Sequence, residues 1–266
     1  PAAGAGTEAV LERERIPVRR LLRNVDFRIR RDADRYGPRR LVVLDADTHA
    51  TRGVLMTRSQ ETVHWEKAFR LPPLGEDLTF PETTLNALLR DRKVRAEYVA
   101  FVINDRGGSL RLLSFPGRAG NPRALRQQVV QAFGIDDEFC ATHQVVHENS
   151  DEERPVYAML AASRPRAVVA GVCALAEEEG YRPVSVTVAG AAVANVAAEH
   201  PGLLAADHGL GFLRIGASTS ILMLFSGSEL ALARQFRVGI RRVVDAVAAD
   251  TGLDTETALK LFRSGS

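Results

Sequence analysis

The fold class predicted from this sequence rests mainly on residues 211–226, GFLRIGASTSILMLFS. An apolar strand over 211–215 leads into a turn of small residues at 216–219, and a second apolar strand follows over 220–225. The turn has no bulky side chain and is rich in backbone N–H and hydroxyl donors, as are loops that hold a phosphate. The sequence therefore predicts a β-hairpin whose turn is suited to phosphate binding.

A second unit of this kind lies nearer the start of the chain. The strand 40–47, RLVVLDAD, is followed by strands near 53–58 and 61–70 and by a helix that Pro81 opens and that ends near Arg92.

The opening hairpin is likewise followed by a strand, over 229–238, and then by a helix over 241–251. We interpret the two units as a weak internal duplication. In duplicated folds of this kind two hairpins face each other and can enclose a phosphate chain.

The rest of the chain alternates between predicted strands and helices, which indicates an α/β fold. Strand 97–103 precedes a turn at 106–108, and we expect the strand 110–115 to pair back onto it as a hairpin. The remaining predicted elements are strands 139–148, 156–163 and 184–188 and helices 121–133, 166–179, 190–199 and 255–262.

Composition and charge exclude several classes of protein. The net charge of +2 is too small to predict a nucleic-acid partner. No apolar run reaches the ~20 residues of a membrane-spanning helix, and the first residues lack the layout of a signal peptide, so we expect a cytoplasmic protein. Residues 8–31 predict a basic helical segment, either an arm for anionic lipid or a partner, or a solvated extension of the domain.

Several motifs, in their order and spacing, resemble the PilM family of type IV pilus assembly proteins within the actin-like ATPase superfamily. The stretch 214–220, RIGASTS, stands where that family has Asp-Ile-Gly-Ala-Ser-Thr-Thr. Further matches are the strand 157–163, the segment EEGYRPV at 178–184, the return strand and glycine at 234–239, the Thr-Gly-Leu turn at 251–253 and HQVV at 143–146. The resemblance covers about residues 40–263.

The resemblance implies an α/β fold of the actin-like (ribonuclease H-like) kind, duplicated, with an inserted small subdomain and a truncated C-terminal part. We expect a basic extension at 1–38, a first half at 39–205 with the insertion at about 117–154, and the start of a second half at 206–266. The resemblance also implies a cytoplasmic protein at the periphery of the inner membrane. Its implied partner is the N-terminal tail of a PilN-like membrane protein, with the pilus assembly ATPase as a further candidate.

The first phosphate loop departs from the family pattern Asp-x-Gly-x-x-x-x-Lys. Asp45 keeps the position that holds Mg²⁺ through water, but Asp47 replaces the glycine and Arg52 replaces the lysine. A carboxylate ~4 Å from a phosphate costs about 4 kcal/mol for each pair of unit charges at an effective dielectric constant of ~20. Asp47 therefore argues against nucleotide binding unless Mg²⁺ bridges the two groups.

The second phosphate loop has Arg214 where the family has an aspartate. This change removes a carboxylate that organises metal and water, and arginine cannot serve as a general base at neutral pH. We predict instead that Arg214 pairs with Asp45 or Asp47 across the cleft and closes it in place of a metal ion.

The candidate site is thus a degenerate nucleotide site, to which we assign no catalytic residue and no metal ligand. Its members come from both loops: Asp45, Asp47, Thr48, Arg52, Arg214, Gly216, Ala217, Ser218 and Thr219. We expect a non-catalytic scaffold without a cofactor. The sequence leaves two alternatives open: an actin-like ATPase that binds ATP with Mg²⁺, and the cytoplasmic domain of a GspL-like type II secretion protein.

Overall fold

The structure is a computed structural model that describes residues 16–17, 39–47, 50–59, 62–75, 78–80, 83–104, 107–149, 155–199, 209–227 and 229–264. The strands are Ile16–Pro17 (β1), Arg40–Asp47 (β2), Ala50–Ser59 (β3), Thr62–Leu71 (β4), Tyr98–Asn104 (β5), Ser109–Pro116 (β6), Phe139–Asn149 (β7), Val156–Pro165 (β8), Arg182–Val188 (β9), Leu210–Ile215 (β10), Ser220–Ser226 (β11) and Glu229–Phe236 (β12). The helices are Leu85–Asp91 (α1), Pro122–Phe133 (α2), Arg166–Glu178 (α3), Ala189–Glu199 (α4), Ile240–Thr251 (α5) and Thr255–Ser264 (α6). Apart from β1, the predicted basic segment at 8–31 lies outside the described residues.

The first sheet has the strand order β1-β4-β3-β2-β5-β9. Strands β2, β3 and β4 form an antiparallel meander, whereas β5 runs parallel to β2 and β9 runs parallel to β5. Helices α1 and α3 cover one face of this sheet, where their apolar side chains join those of β2 and β5 in one core. Helix α4 packs against the other face, so β5, which is largely apolar, is covered on both faces.

The second sheet is antiparallel and has the strand order β10-β11-β12-β6-β8-β7. Strand β8 is buried along nearly its whole length, because α2 covers one face of the sheet and α4 the other. A Cβ on Gly190 of α4 would lie 2.1 Å from a methyl carbon of Leu110 on β6. The helix that leaves the first sheet is therefore packed tightly on the second.

The predicted hairpin between β5 and β6 is wrong. Both edges of β5 are already paired, with β2 and with β9, so the chain leaves the first sheet after β5. It crosses to the second sheet, where β6 pairs with β8 and β12. At this crossing a Cβ on Gly108 would lie 2.8 Å from Nη2 of the buried Arg164, so the close approach requires glycine.

Helix α1 begins at Leu85, later than the start that the sequence predicts at Pro81. Thr84 is its N-cap, and the Thr84 Oγ1 accepts a hydrogen bond from Ala87 N–H at 3.1 Å. The carboxylate of Glu179, at the end of α3, accepts the Leu85 N–H at 3.0 Å. A long-range contact therefore sets where this helix begins. Apart from the segment 8–31, of which the structure describes only the short strand β1, the other predicted elements all occur, with their ends shifted by up to three residues.

The predicted duplication is visible in the order of elements. A hairpin, a third antiparallel strand and a helix occur once as β2-β3-β4-α1 and again as β10-β11-β12-α5. The second sheet also contains β6, β7 and β8, so the predicted first half, 39–205, contributes strands to both sheets. Among the described residues, no helix is both long enough and apolar enough to span a bilayer.

Candidate functional site

The first hairpin places two carboxylates at the carboxyl end of β2. In the parallel register with β5, Asp47 lies beside Asn104, and Asp45 lies beside Val102. Asn104 is buried, and its side-chain amide donates a hydrogen bond to Asp45 Oδ1. Ligands of parallel α/β sheets bind at this end of the strands, so the two carboxylates stand where a ligand is expected.

The second hairpin presents its turn, residues 216–219, to the same place. The Gly216 N–H donates to the Thr219 carbonyl oxygen at 2.9 Å, which closes the turn. A Cβ on Gly216 would lie 2.7 Å from that oxygen, 3.1 Å from Asp47 Oδ2 and 3.2 Å from Arg214 Nη1. Glycine is required here because the two hairpins meet at this position.

The turn also contacts the start of helix α5. The N–H groups of Ile240 and Arg241 donate to the carbonyl oxygens of Gly216 and Ala217, each at 3.0 Å. A Cβ on Gly239 would lie only 2.4 Å from the Ala217 oxygen. A helix N-terminus binds an anion through its free N–H groups. Carbonyl oxygens of the turn occupy two of these groups in α5.

Arg214 reaches from β10 across the cleft to Asp45 on β2. Its Nη2 lies 3.1 Å from Asp45 Oδ2 and 3.3 Å from Oδ1. The two side chains are 20% and 27% exposed, so solvent screens this pair less than a surface ion pair. Arg52 approaches the same Oδ2 to 3.6 Å, but its side chain is 69% exposed. The predicted pairing of Arg214 with Asp45 is confirmed.

Asp47 makes a contact that sequence analysis does not predict. Its carboxylate is buried, and Oδ2 accepts a hydrogen bond from the Ala217 N–H at 3.2 Å. In a phosphate-binding loop an N–H of this kind binds a phosphate oxygen. Here a carboxylate of the same chain takes the place of that oxygen.

Of the three hydroxyl residues in the candidate site, the structure describes Ser218 and Thr219. Ser218 and Thr219 are buried in the turn, and Ser218 Oγ has no hydrogen-bond partner in the described part of the chain. Thr48 lies outside the described residues. The small size of the turn residues is explained by their burial between β2, β10 and α5 rather than by a ligand.

This arrangement does not fit a magnesium nucleotide. Asp45, which would hold the metal through water, is ion-paired with Arg214, and Asp47 occupies the N–H that would bind a phosphate oxygen. No group of three or more His, Cys, Asp or Glu side chains suited to a metal ion occurs among the described residues. Both contacts between the hairpins would have to break before a nucleotide and Mg²⁺ fitted between them.

Arg164 is a second link between the sheets, and sequence analysis misses it. It is fully buried near the end of β8, and its Nη2 donates to the Ile103 carbonyl oxygen of β5 at 2.7 Å. The sequence does contain a signal, because Arg164 ends an otherwise apolar strand. A cation in such a position must find its partners inside the protein.

Comparison with known proteins adds evidence on the fold. No protein-family model matches the sequence, and no curated protein matches it. Among solved structures, the chain is similar to one from the PilM–PilN type IV pilus biogenesis complex, with a TM-score of 0.64 and 19% sequence identity. The match covers 84% of this chain and 69% of that one.

Two looser matches have TM-scores below 0.5. One is a Bacteroides thetaiotaomicron protein with an actin-like ATPase fold and unknown function, at a TM-score of 0.44 and 8% identity, covering 82% of this chain and 79% of that one. The other is the cytoplasmic domain of EpsL, an inner-membrane component of the Vibrio cholerae type II secretion system, at 0.41 and 10% identity, covering 79% and 75%. The match to a chain of the PilM–PilN complex shows that this chain shares its fold, and the duplicated order of elements agrees with the actin-like fold that the sequence predicts.

Proposed function

We propose that the protein is a non-catalytic, actin-like scaffold of the type IV pilus assembly machinery, located in the cytoplasm at the inner membrane. In this proposal it binds the N-terminal tail of a PilN-like membrane protein, and the pilus assembly ATPase is a second partner. The observation that carries the proposal is the direct contact between the two hairpins, Arg214 with Asp45 and Ala217 with Asp47.

The contact supports a non-catalytic role on energetic grounds. A nucleotide would have to displace Arg214 from Asp45 and the carboxylate of Asp47 from the Ala217 N–H. Asp47 would then stand opposite the incoming phosphate, and each pair of unit charges at ~4 Å costs about 4 kcal/mol at an effective dielectric constant of ~20. Arg214 also provides no general base for hydrolysis at neutral pH.

The same contact supports a scaffold. In a nucleotide-dependent protein, the ligand holds the two halves together, so that partner affinity depends on the nucleotide. Here the ion pair, the Asp47 hydrogen bond and the buried Arg164 connect the two sheets without a ligand. We therefore expect a groove between subdomains that is formed in the absence of ATP. The PilN-like partner is inferred from the similarity to PilM in its complex with PilN.

The test is a calorimetric titration with a synthetic peptide that carries the N-terminal tail of a PilN-like membrane protein. We expect saturable binding in the micromolar range, with the same affinity whether ATP and Mg²⁺ are present or absent. A scrambled peptide of the same composition is the control. Absence of binding, or an affinity equal to that of the scrambled peptide, would contradict the partner assignment.

Comparing the titrations with and without ATP and Mg²⁺ tests the partner assignment and the independence from nucleotide separately. Tail binding that strengthens when ATP and Mg²⁺ are added would contradict the non-catalytic, nucleotide-independent scaffold while keeping the partner. Tail binding that is unaffected by ATP supports both parts.

A further inference from the structure

The stretch that runs from just before β6 to just after α2 is basic and lacks acidic residues. Residues 107–135 contain four arginines, Arg111, Arg118, Arg123 and Arg126, and no aspartate or glutamate. In a chain with 35 basic and 33 acidic residues this is a local separation of charge. Helix α2 carries the centre of the stretch on the outer side of the second sheet, with Leu125 and Val129 turned towards β8.

All four of these arginines are exposed, and the guanidinium of Arg111 lies 5.2 Å from the centre of the Phe133 ring. Arg118, Arg123 and Arg126 form no ion pair with the described residues. Glu148 is the acidic side chain that contacts this region, and its Oε1 accepts the Ala119 N–H at 3.2 Å. Arg123 and Arg126 lie on helix α2 and Arg118 just before it, so this surface carries positive charge that is complementary to a negatively charged partner.

A groove of about 470 Å³ lies along the same helix, away from the cleft between the hairpins. It is lined by Arg123, Arg126, Gln127, Val130 and Gln131. The two guanidinium groups are donors that can bind carboxylates through two hydrogen bonds. The two amide side chains can both donate to and accept from a peptide backbone, and Val130 is half-buried and supplies an apolar surface.

We propose that this α2 groove binds an acidic peptide segment of a partner protein. The lining favours a peptide over single-stranded nucleic acid, because it contains no aromatic residue on which a base would stack. It favours a peptide over a membrane, because it contains no large exposed apolar side chain that would insert into lipid. This site lies on a different surface from the hairpin cleft and does not depend on the function proposed above.

His143 on β7 lies close enough to Arg126 for the charge of Arg126 to affect its pKa. Burial and, after it, the charge of Arg126 hold the pKa of His143 below its ordinary value of 6.5. The positive charge of Arg126 therefore acts on a side chain of the adjacent strand.

The test is fluorescence anisotropy of a labelled, glutamate-rich peptide of about six residues, because the 12-residue helix α2 is about 18 Å long and an extended chain rises about 3.3 Å per residue. The wild-type chain is compared with Arg123→Glu/Arg126→Glu. A control variant, Arg237→Glu/Arg242→Glu, makes the same change in net charge at exposed arginines outside α2. We expect the α2 variant to bind at least about tenfold more weakly, and the control variant to change the affinity by less than about twofold.

A neutral variant and a check of folding complete the test. The neutral variant Arg123→Gln/Arg126→Gln should also lose affinity if guanidinium groups make the contact, and circular dichroism checks that each variant is folded. Equal weakening by the α2 and control variants would overturn the proposal, because it would indicate non-specific attraction. Absence of peptide binding, or binding to phosphatidylglycerol vesicles that alone depends on Arg123 and Arg126, would also overturn it.

Discussion

The guanidinium of Arg214 binds the carboxylate of Asp45 across the cleft between the two hairpins, with Nη2 3.1 Å from Oδ2. The two residues are 169 positions apart in sequence and belong to different sheets. In the PilM family, which this sequence resembles, aspartates stand at both positions and organise a metal ion between them. A cation on one side and an anion on the other allow direct contact, so this chain holds its own hairpins together.

Replacing Arg214 by methionine should destabilise the protein. The change keeps most of the side-chain volume, but among the described residues it leaves Asp45, which is 27% exposed, with Asn104 and the exposed Arg52 as its partners. The expected loss is about 1–3 kcal/mol, between the values for surface and buried ion pairs. Urea unfolding of the wild type and the variant measures it.

The control for this prediction is Arg52→Met. Arg52 is 69% exposed and lies 3.6 Å from Asp45 Oδ2, so its loss should change the free energy of unfolding by less than about 0.5 kcal/mol. Equal effects of the two substitutions would show that Arg214 has no special role in closing the cleft.

Asp47 should be replaceable by asparagine but not by alanine. Asparagine keeps an oxygen that can accept the Ala217 N–H, which Asp47 Oδ2 binds at 3.2 Å. Alanine removes the acceptor, and the loss of this hydrogen bond to the buried Ala217 N–H should cost about 1–3 kcal/mol of stability. Thermal unfolding at pH 7 should place Asp47→Asn near the wild type and Asp47→Ala well below it. The reverse order would mean that the negative charge, rather than the hydrogen bond, is what matters.

Gly239→Ala should destabilise the junction between the second hairpin and helix α5. Gly239 has extended backbone angles that any residue adopts, so strain in φ is not the reason. The added Cβ would lie 2.4 Å from the Ala217 oxygen, and relieving this overlap should cost about 1–3 kcal/mol. At Gly120 the nearest atom to an added Cβ is 3.6 Å away, so Gly120→Ala should be neutral or slightly stabilising. Comparable losses at both positions would contradict the tight packing described here.

The two hairpins and their pairing were predictable from sequence because their signals are local. Apolar strands on either side of a short turn indicate a hairpin, and the duplication indicates that two such turns face each other. With the turns opposed, the opposite charges predict that Arg214 pairs with Asp45 or Asp47. The sequence leaves this choice open, and the structure shows that Arg214 pairs with Asp45.

The contacts that sequence analysis misses or mispredicts are long-range. Strand β5 does not pair with β6, because β9, about 80 residues further on, takes its free edge. Arg164 and Asn104 are polar residues at the ends of apolar strands, and nothing in their local sequence identifies their partners. The start of α1 depends on Glu179, which is 94 residues away from Leu85. Tertiary contacts override local signals at each of these positions.

The pKa of His143 provides a test of the charge at the α2 groove. Burial and then Arg126 lower this pKa from its ordinary value of 6.5, so the folded state disfavours the protonated ring. The associated stability is fully present above pH 6.5 and is lost as the pH falls below 6.5 through the folded pKa. Arg126→Gln should raise the pKa part of the way towards 6.5, because burial remains. Titration of the His143 ring protons by NMR measures this shift, and an unchanged pKa would contradict the contribution of Arg126.

We propose that the protein's own side chains close the cleft between the two hairpins, where the family that the sequence resembles holds a nucleotide. The most direct test is isothermal titration calorimetry of the wild-type chain with ATP, with Mg²⁺ and again with EDTA. The Arg214–Asp45 pair and the Asp47–Ala217 hydrogen bond predict no saturable heat at millimolar ATP under either condition. Saturable binding that requires Mg²⁺ would contradict the claim.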